Sequence, residues 1–496
     1  MTPVSSDDFL SPTHLGRLRP EVQRPAYERG AQPPGMVHFG PGAFHRAHQA
    51  WVADELLSHD PRWSIAAVSL RNPDVRDALQ PQGGLYTLAT LDETVSYRVI
   101  GALQELLVAP EDPEKVLARL SAPTTRVVTI TVTEKGYCLD AAGALDTSHA
   151  DIQRDLEHPE HPRSLIGYLV EGLKRRQAAR LPALSVISCD NLVDNGVRLG
   201  RAVRQLAELR DPGLARWIED HTHFPRTMVD SITPATTDAL RERVAVALGI
   251  KDRWPVQRES FLQWVLEDQV AADGPDWASA GVTITDDVPA YDRAKLRLLN
   301  GAHSTLAYLG LLAGHETVAQ AMQDERLASF VTTLMREDVR PTLRAPRGLD
   351  LSAYIEAILR RFRNPEIRHA LAQIAWDGSQ KLPIRILGTV ADAIRANRPL
   401  ARLALPIAAW MHFIRATATS NTPIVDPLSD QLAACGRHAT GDSRHDLPIF
   451  FELPGVFPVA LTLDIAFVKA LGGAYELIAR VGPLAAVATL ASSQEA

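Results

Sequence analysis

The chain has 496 residues, 46% of them hydrophobic and 22% charged, with a formal net charge of −7. That length exceeds one ordinary core and implies two large domains of a soluble globular protein. The mild acidity argues against nucleic acid as the main partner, and no apolar run approaches the roughly 18 residues of a membrane span.

The N-terminus, M-T-P-V-S-S-D-D-F-L, is acidic and lacks the basic and apolar regions of a signal peptide. Cys138, Cys189 and Cys435 are odd in number and widely spaced. They suggest neither a disulfide framework nor a zinc site, and they fit a reducing cytoplasm. No obligatory protein partner is evident.

After an irregular lead-in rich in Pro and Arg, strand and helix signals alternate. Residues 36–39 are a short apolar strand, and 47–57 carry a helical pattern of Ala, Trp, Val and Leu. Residues 64–70, S-I-A-A-V-S-L, form a second strand. Residues 86–91 and 94–100 read as an antiparallel pair, because Val95, Tyr97 and Val99 alternate with polar residues. R-V-V-T-I-T-V at 126–132 and L-S-V-I-S at 184–188 are buried strands. Such alternation implies an α/β domain with a mostly parallel sheet and helices on both faces.

After residue 285 helical periods dominate, at 294–313, 317–323, 327–337, 351–362, 367–376, 383–396, 399–415, 464–471 and 475–481. They mark a second, mainly α-helical domain, so the expected division is 1–285 and 286–496. The Ser/Gly/Asp/His stretch at 436–446 reads as one long surface loop.

V-H-F-G-P-G-A-F-H-R-A-H at 37–48 runs from strand through Gly40-x-Gly42 into a helical pattern. This is the first half of a dinucleotide fingerprint: Gly40 allows the tight turn, and Gly42 lets backbone approach a pyrophosphate at a helix N-terminus. The third glycine is absent, and His45 stands in its place. At the end of the second strand, Asp74 would accept from a ribose 2′-hydroxyl and favour NAD, whereas Arg71 would pair with a 2′-phosphate; NAD is the expectation. His38, His45 and His48 crowd the same turn, but a metal there would block the phosphate approach. No metal is expected.

The most chemistry-bearing run is K-L-R-L-L-N-G-A-H at 295–303. On an α-helix Lys295, Asn300 and His303 fall at about 0°, 140° and 80°, so they share one side while leucines take much of the rest. A lysine buried there has a lowered pKa unless paired, as an acid/base amine needs. A polar network that merely ties domains together is the other reading. Ser188-Cys189-Asp190-Asn191 closes a strand at the edge where α/β sheets bind ligands, so Asn191 is expected to meet a helix such as this one. Two amides on one oxygen would stabilise an alkoxide, and a lysine would supply its proton. Asn195 and Asp190 fit turn or capping roles. A dinucleotide turn, paired asparagines and a lysine suit a metal-independent secondary alcohol dehydrogenase.

Several segments together resemble the polyol-specific long-chain dehydrogenases. They are G-P-G-A-F-H-R-A-H-Q-A at 40–50, T-V-T-E-K-G-Y at 131–137, S-C-D-N at 188–191, F-P-x-T-M-V-D with I-T-P-A-T at 224–236, Q-W-V-L-E-D at 263–268, K-L-R-L-L-N-G-A-H at 295–303 and D-G-S-Q-K-L-P-I-R at 377–385. The resemblance implies a Rossmann-type domain followed by a mainly helical substrate domain. It implies Lys295 as general acid/base, Asn191 and Asn300 on the reacting oxygen, and His303 on a neighbouring substrate hydroxyl. Asp230 and Lys381 would contact the far end of the sugar chain. Glu134 and Asp292 are acidic positions near the base, Asp292 as a proton relay or alternatively a surface ion pair. Phe39, Gly40, Gly42, Ala43, Phe44, Arg71, Asp74 and Glu134 would surround the cofactor.

Mannitol-oxidising members carry T-E-G-G-Y and S-S-K-F-P, whereas this chain has T-E-K-G-Y and S-Q-K-L-P-I-R, which resembles the fructuronate-reducing branch. Lys135 and Arg385 add positive charge that suits a uronate carboxylate, worth roughly 1.5–3 kcal/mol. Lys135 alternatively pairs with a cofactor phosphate or with Glu134. Ser231, Ser260 and Ala302 depart from the family pattern, and only the first stands where substrate preference would change. The expected activity is reversible, NAD-dependent reduction of D-fructuronate to D-mannonate in hexuronate catabolism. Mannitol 2-dehydrogenase is the nearest alternative, ahead of tagaturonate reductase or a non-catalytic sensor. The partner is a small hexuronate or polyol.

Overall fold

A computed structural model describes residues 8–182, 184–420 and 422–492. The chain divides into two compact units after Val288.

The first unit is built on six strands, β1 (Met36–Phe39), β2 (Ile65–Ser69), β3 (Leu103–Val108), β4 (Val127–Ile130), β5 (Leu184–Ser188) and β6 (Thr222–His223). They are hydrogen-bonded in the order β3-β2-β1-β4-β5-β6, and every neighbouring pair is parallel. This is the doubly wound order of a Rossmann-type domain. All residues of β1, β2, β4 and β5 are buried, which is why they read as unbroken apolar runs. Val37, Phe39, Ala66 and Val68 pack on one face, with helices Leu165–Ala178 and Asn195–Arg210. Met36, Ile65 and Ala67 pack on the other, with helix Gln49–Leu56. Each large aliphatic side chain buried this way contributes about 1.5–3 kcal/mol.

Two three-stranded sheets flank this core. Tyr86–Leu91 pairs antiparallel with Ser96–Ile100, as its alternation predicts, and parallel with Val256–Glu259. Gln263–Glu267 lies between Thr227–Asp230 and Thr283–Thr285. The helix expected over 47–57 is two helices, Ala43–Ala47 and Gln49–Leu56, because His48 leaves the helical region at φ −119, ψ −85.

The second unit is helical. Its longest helix among the described residues, Ala401–Thr419, is nearly enclosed and packs against Gly301–Leu312, Ser429–His438 and Ile465–Val481. The sequence suggests a break between 471 and 475, but helix Ile465–Val481 runs through it. Gly472 sits where an added Cβ would lie 3.3 Å from Ser443 Oγ, so it serves close packing. The surface loop expected at 436–446 is also corrected. Helices Ser429–His438 and Ser443–Phe451 cover most of it, and Asp446 is fully buried. Its carboxylate accepts from the Thr440 and Gly441 amides (2.8 and 2.7 Å) and the Tyr475 hydroxyl (2.7 Å), so these polar residues form a cap and a core network. Among the described residues no helix is long and apolar enough to cross a membrane.

Candidate active site

Because every strand of the main sheet is parallel, the segments after β1, β2, β4 and β5 share one edge. Gly40, Arg71, Thr131–Lys135 and Asp190–Asn191 lie there, and a cavity of about 950 Å³ opens along it. Gly40 has φ +89, and an added Cβ would lie 2.1 Å from the Thr131 carbonyl, so only glycine fits. Gly42 has nothing closer than 3.9 Å to an added Cβ and offers its backbone to the cavity. Ala43 opens the following helix. Phe44 is partly buried and stacks on His48 at 5.0 Å, while Phe39 points into the core toward Tyr168 at 6.1 Å. His48 Nε2 donates to the Gln263 carbonyl at 3.0 Å.

The two candidates at the ribose end separate. Arg71 lines the cavity, whereas Asp74 is exposed on the first turn of helix Asp74–Leu79 and does not line it. Glu134 and Lys135 are both exposed on the short turn Glu134–Tyr137. Lys135 lines the same cavity as the glycine turn, which favours its phosphate-pairing alternative.

Asp190 fixes this edge. Its carboxylate accepts from the Val132 and Thr133 amides, both at 3.0 Å, and from the Tyr137 hydroxyl at 2.7 Å. Burial raises its pKa, opposed by those same bonds. The T-V-T-E-K-G-Y and S-C-D-N segments are therefore one structural unit joined by Asp190. Asn195 is buried and donates to the Ser188 and Thr227 carbonyls (3.3 and 3.1 Å), a structural role. Asn191 is exposed at the sheet edge, and Asp230 is buried at the end of its strand, in register with Gln263.

In the second unit Lys295, Asn300 and His303 are all buried. The regular α-helix expected over 294–313 is corrected: Val288–Ala294 is α, Lys295–Asn300 is a π-helix, and Gly301–Leu312 is α again. A π-turn, with its i→i+5 hydrogen bonds, carries more residues than an α-turn, so the angles worked from 3.6 residues per turn do not hold between Lys295 and Asn300. Asp292 is half-buried on the preceding α-helix, three residues before Lys295.

The His303 ring lies 4.4 Å from that of Phe362 and meets His369 edge-on at 5.1 Å. Burial, then the nearby His369, Arg361 and Arg385, push its pKa well below the usual histidine range, so the imidazole is neutral. Its Nε2 has no hydrogen bond among the described residues. Lys381 Nζ donates to the Ile374 carbonyl at 3.3 Å, and Arg385 Nη1 to Ser304 Oγ at 3.1 Å. Arg385 Nε has no partner, and no described carboxylate lies within ion-pair distance of Arg385 or Lys381. Burial lowers the pKa of both. Gly301 lets another π-turn, Pro383–Leu387, close on this helix, since an added Cβ would lie 3.1 Å from the Arg385 carbonyl.

The Rossmann-domain family model of mannitol dehydrogenase matches residues 34–279, and the mannitol dehydrogenase C-terminal domain model matches 287–479. The chain belongs to the mannitol dehydrogenase family. It is 40% identical to the D-mannonate oxidoreductase of Escherichia coli (strain K12), over 95% of this chain and 98% of that one. It is 36% identical to Pseudomonas fluorescens mannitol 2-dehydrogenase, solved as a ternary complex with NAD and D-mannitol, with a TM-score of 0.82 over 97% of this chain and 99% of that one. A D-sorbitol dehydrogenase in substrate-free form superposes with a TM-score of 0.90 at 35% identity, over 97% and 100%. As a mannitol dehydrogenase family member the chain is an oxidoreductase of secondary alcohols. The turn or capping role expected of Asp190 takes the form of an anchor for the Val132–Thr133 loop, whereas sequence reasoning missed the Ser304, Tyr308 and His369 side chains around Arg385 and His303. Asp190 carried a signal, as a carboxylate just past a buried strand; the other three lack one, because only packing brings them to the same place.

Proposed function

We propose that this protein reversibly reduces D-fructuronate to D-mannonate with NAD as cofactor, in hexuronate catabolism. The observation that carries this reading is the uncompensated charge of Arg385, a half-buried guanidinium whose one hydrogen bond among the described residues is to a serine hydroxyl. Burying such a charge is costly unless an anion meets it, and a uronate carboxylate is such an anion. A neutral polyol is not. Identity to D-mannonate oxidoreductase over nearly the whole chain supports the same substrate.

The Gly40–Gly42 edge fits a dinucleotide: backbone at Gly42 is open, and Arg71 and Lys135 line the cavity beside it. Bound there, the nicotinamide cofactor supplies the hydride to the ketone carbon, or accepts it in the reverse direction. In reduction Lys295, as the ammonium, gives its proton to the nascent alkoxide, and in oxidation it takes the proton back. Asn191 and Asn300 donate to that oxygen and spread its charge, so the chemistry needs no metal. Neutral His303 holds a neighbouring hydroxyl, Asp230 and Lys381 hold the far hydroxyls, and Asp292 relays the proton of Lys295. Residues 1–285 are the proposed cofactor-binding domain and residues 286–496 the proposed substrate domain. Three buried cysteines without a disulfide support a cytoplasmic location.

Mannitol oxidation is the second reading. It is favoured by the Pseudomonas fluorescens complex and by Lys135, which lines the glycine-turn cavity and so need not serve a carboxylate. NADH oxidation by the purified protein, offered fructuronate, tagaturonate and fructose, separates the two. The highest kcat/KM on fructuronate is expected, and a preference for fructose would overturn the carboxylate argument.

A further inference from the structure

One buried histidine bonds the glycine turn and a second stacks on the first, and neither takes part in the reaction. His38, the third residue of β1, is fully buried and both its ring nitrogens are engaged. Nδ1 lies 2.8 Å from Thr129 Oγ1, and Nε2 lies 3.1 Å from the Gly40 carbonyl and 3.0 Å from Thr131 Oγ1. A carbonyl only accepts, so Nε2 carries the proton and Nδ1 accepts from the Thr129 hydroxyl. The same Gly40 oxygen also accepts from the Thr131 hydroxyl at 2.7 Å and from the Gly42 amide at 2.7 Å. Three donors converge on the carbonyl of the residue that turns the chain.

His45 occupies the position of the missing third glycine. In the usual fingerprint that glycine lets the helix press on the strand. Here the His45 ring lies flat on that of His38, with centroids 3.2 Å apart and planes 12° from parallel. His45 is also fully buried. Burial holds His38 at about 3 and His45 well below the usual histidine range, so the stack is neutral and free of charge repulsion at working pH.

We propose that His38 is a positioning residue for the dinucleotide, locking the Gly40 carbonyl from below, and that His45 replaces the third glycine as a stacked spacer between β1 and the helix Ala43–Ala47. This inference rests on the reading of the glycine turn as a dinucleotide site. Its competitor is a plain core pair, whose loss would lower stability without touching cofactor affinity.

The test uses the full chain with His38→Phe, His38→Gln, Thr131→Val and His45→Gly. Titration calorimetry gives the NADH dissociation constant, steady-state kinetics give kcat and the KM for NADH, and thermal melts report folding. Phenylalanine keeps the stack and loses the donor, so His38→Phe should weaken NADH binding about tenfold, or about 1.4 kcal/mol, with kcat almost unchanged. Thr131→Val removes a second donor and should act in the same direction. Glutamine places an amide N–H near the Nε2 position, so His38→Gln should stay within about threefold of the parent. His45→Gly restores the fingerprint yet should weaken binding, because the helix Ala43–Ala47 loses its spacer against β1, which His38→Gln leaves in place.

Parent-like NADH affinity in both His38→Phe and Thr131→Val overturns the proposal, as does His38→Gln falling as far as His38→Phe. If His38→Phe does not fold, Thr131→Val and His38→Gln decide. A parent protein that binds no NADH would remove the dinucleotide reading and this inference together, whereas a parent that binds and variants that bind equally well remove the inference alone.

Discussion

Arg385→Met tests the substrate assignment at its most exposed point. The side chain sits on the π-turn Pro383–Leu387, donates to Ser304 Oγ at 3.1 Å, and leaves Nε without a partner. If a substrate carboxylate completes that guanidinium, the variant loses a charge-assisted hydrogen bond worth about 1.5–3 kcal/mol. That converts to a loss of roughly 10- to 150-fold in kcat/KM for fructuronate. Fructose, which has no carboxylate, should lose less than about threefold. Stability moves the other way from an ordinary ion-pair deletion. No described carboxylate pairs with Arg385, so its removal orphans no anion, and exchanging a half-buried guanidinium for a thioether of similar length should leave the melting temperature unchanged or raised. The assay is NADH oxidation with each ketone varied in turn, beside a thermal melt of the free protein. Equal losses on the two ketones would refute the reasoning, because they would make Arg385 a packing residue.

Three further outcomes are expected. Lys135→Ala should raise the KM for NADH more than that for fructuronate, since Lys135 lines the glycine-turn cavity; the reverse split in steady-state kinetics would return it to the substrate. Lys295→Ala should abolish turnover and leave NADH binding by calorimetry almost intact, and loss of binding would place the lysine wrongly. Stability should fall in mild acid: His38 has its pKa lowered from 6.5 to about 3 by burial, so between those values the unfolded chain binds the extra proton. Stability contributed by the neutral ring is complete above 6.5 and is lost as pH falls below it, by about 2 kcal/mol at pH near 5. Urea unfolding should show that loss and His38→Gln should reduce it; stability that rises toward acid would contradict the assignment.

The parallel sheet was legible because buried strands carry no polar alternation, and L-S-V-I-S and R-V-V-T-I-T-V have few other uses. β3 was not, since L-Q-E-L-L-V mixes polar and apolar residues at a sheet edge. β6, of two residues, is too short to have a period. The Gly40 turn was legible from composition, and the Cβ clash with Thr131 gives its reason. Assigning Asp74 to the ribose rested on sequence distance from β2. Helix Asp74–Leu79 instead begins there and carries that carboxylate to the surface, leaving Arg71 on the cavity.

The run Lys295–His303 illustrates a deeper limit. Periodicity presumes a constant residue count per turn, and a π-turn breaks that presumption without any required side chain. Among the described residues the second unit has three such turns, Lys295–Asn300, Leu334–Val339 and Pro383–Leu387, and the first packs against both of the others. Lys295 and Asn300 bound one, and Arg385 sits in another. Around this run His303 Nε2, Tyr308 OH, His369 Nδ1 and Arg385 Nε are buried with no hydrogen bond among the described residues. Each unmet group costs about 1–3 kcal/mol, so four in one neighbourhood are a large deficit for a purely structural feature. A polyhydroxylated acid carries hydroxyls and a carboxylate that meet such groups. The deficit therefore argues for a ligand site built on a deliberately irregular helix, and against a structural tie.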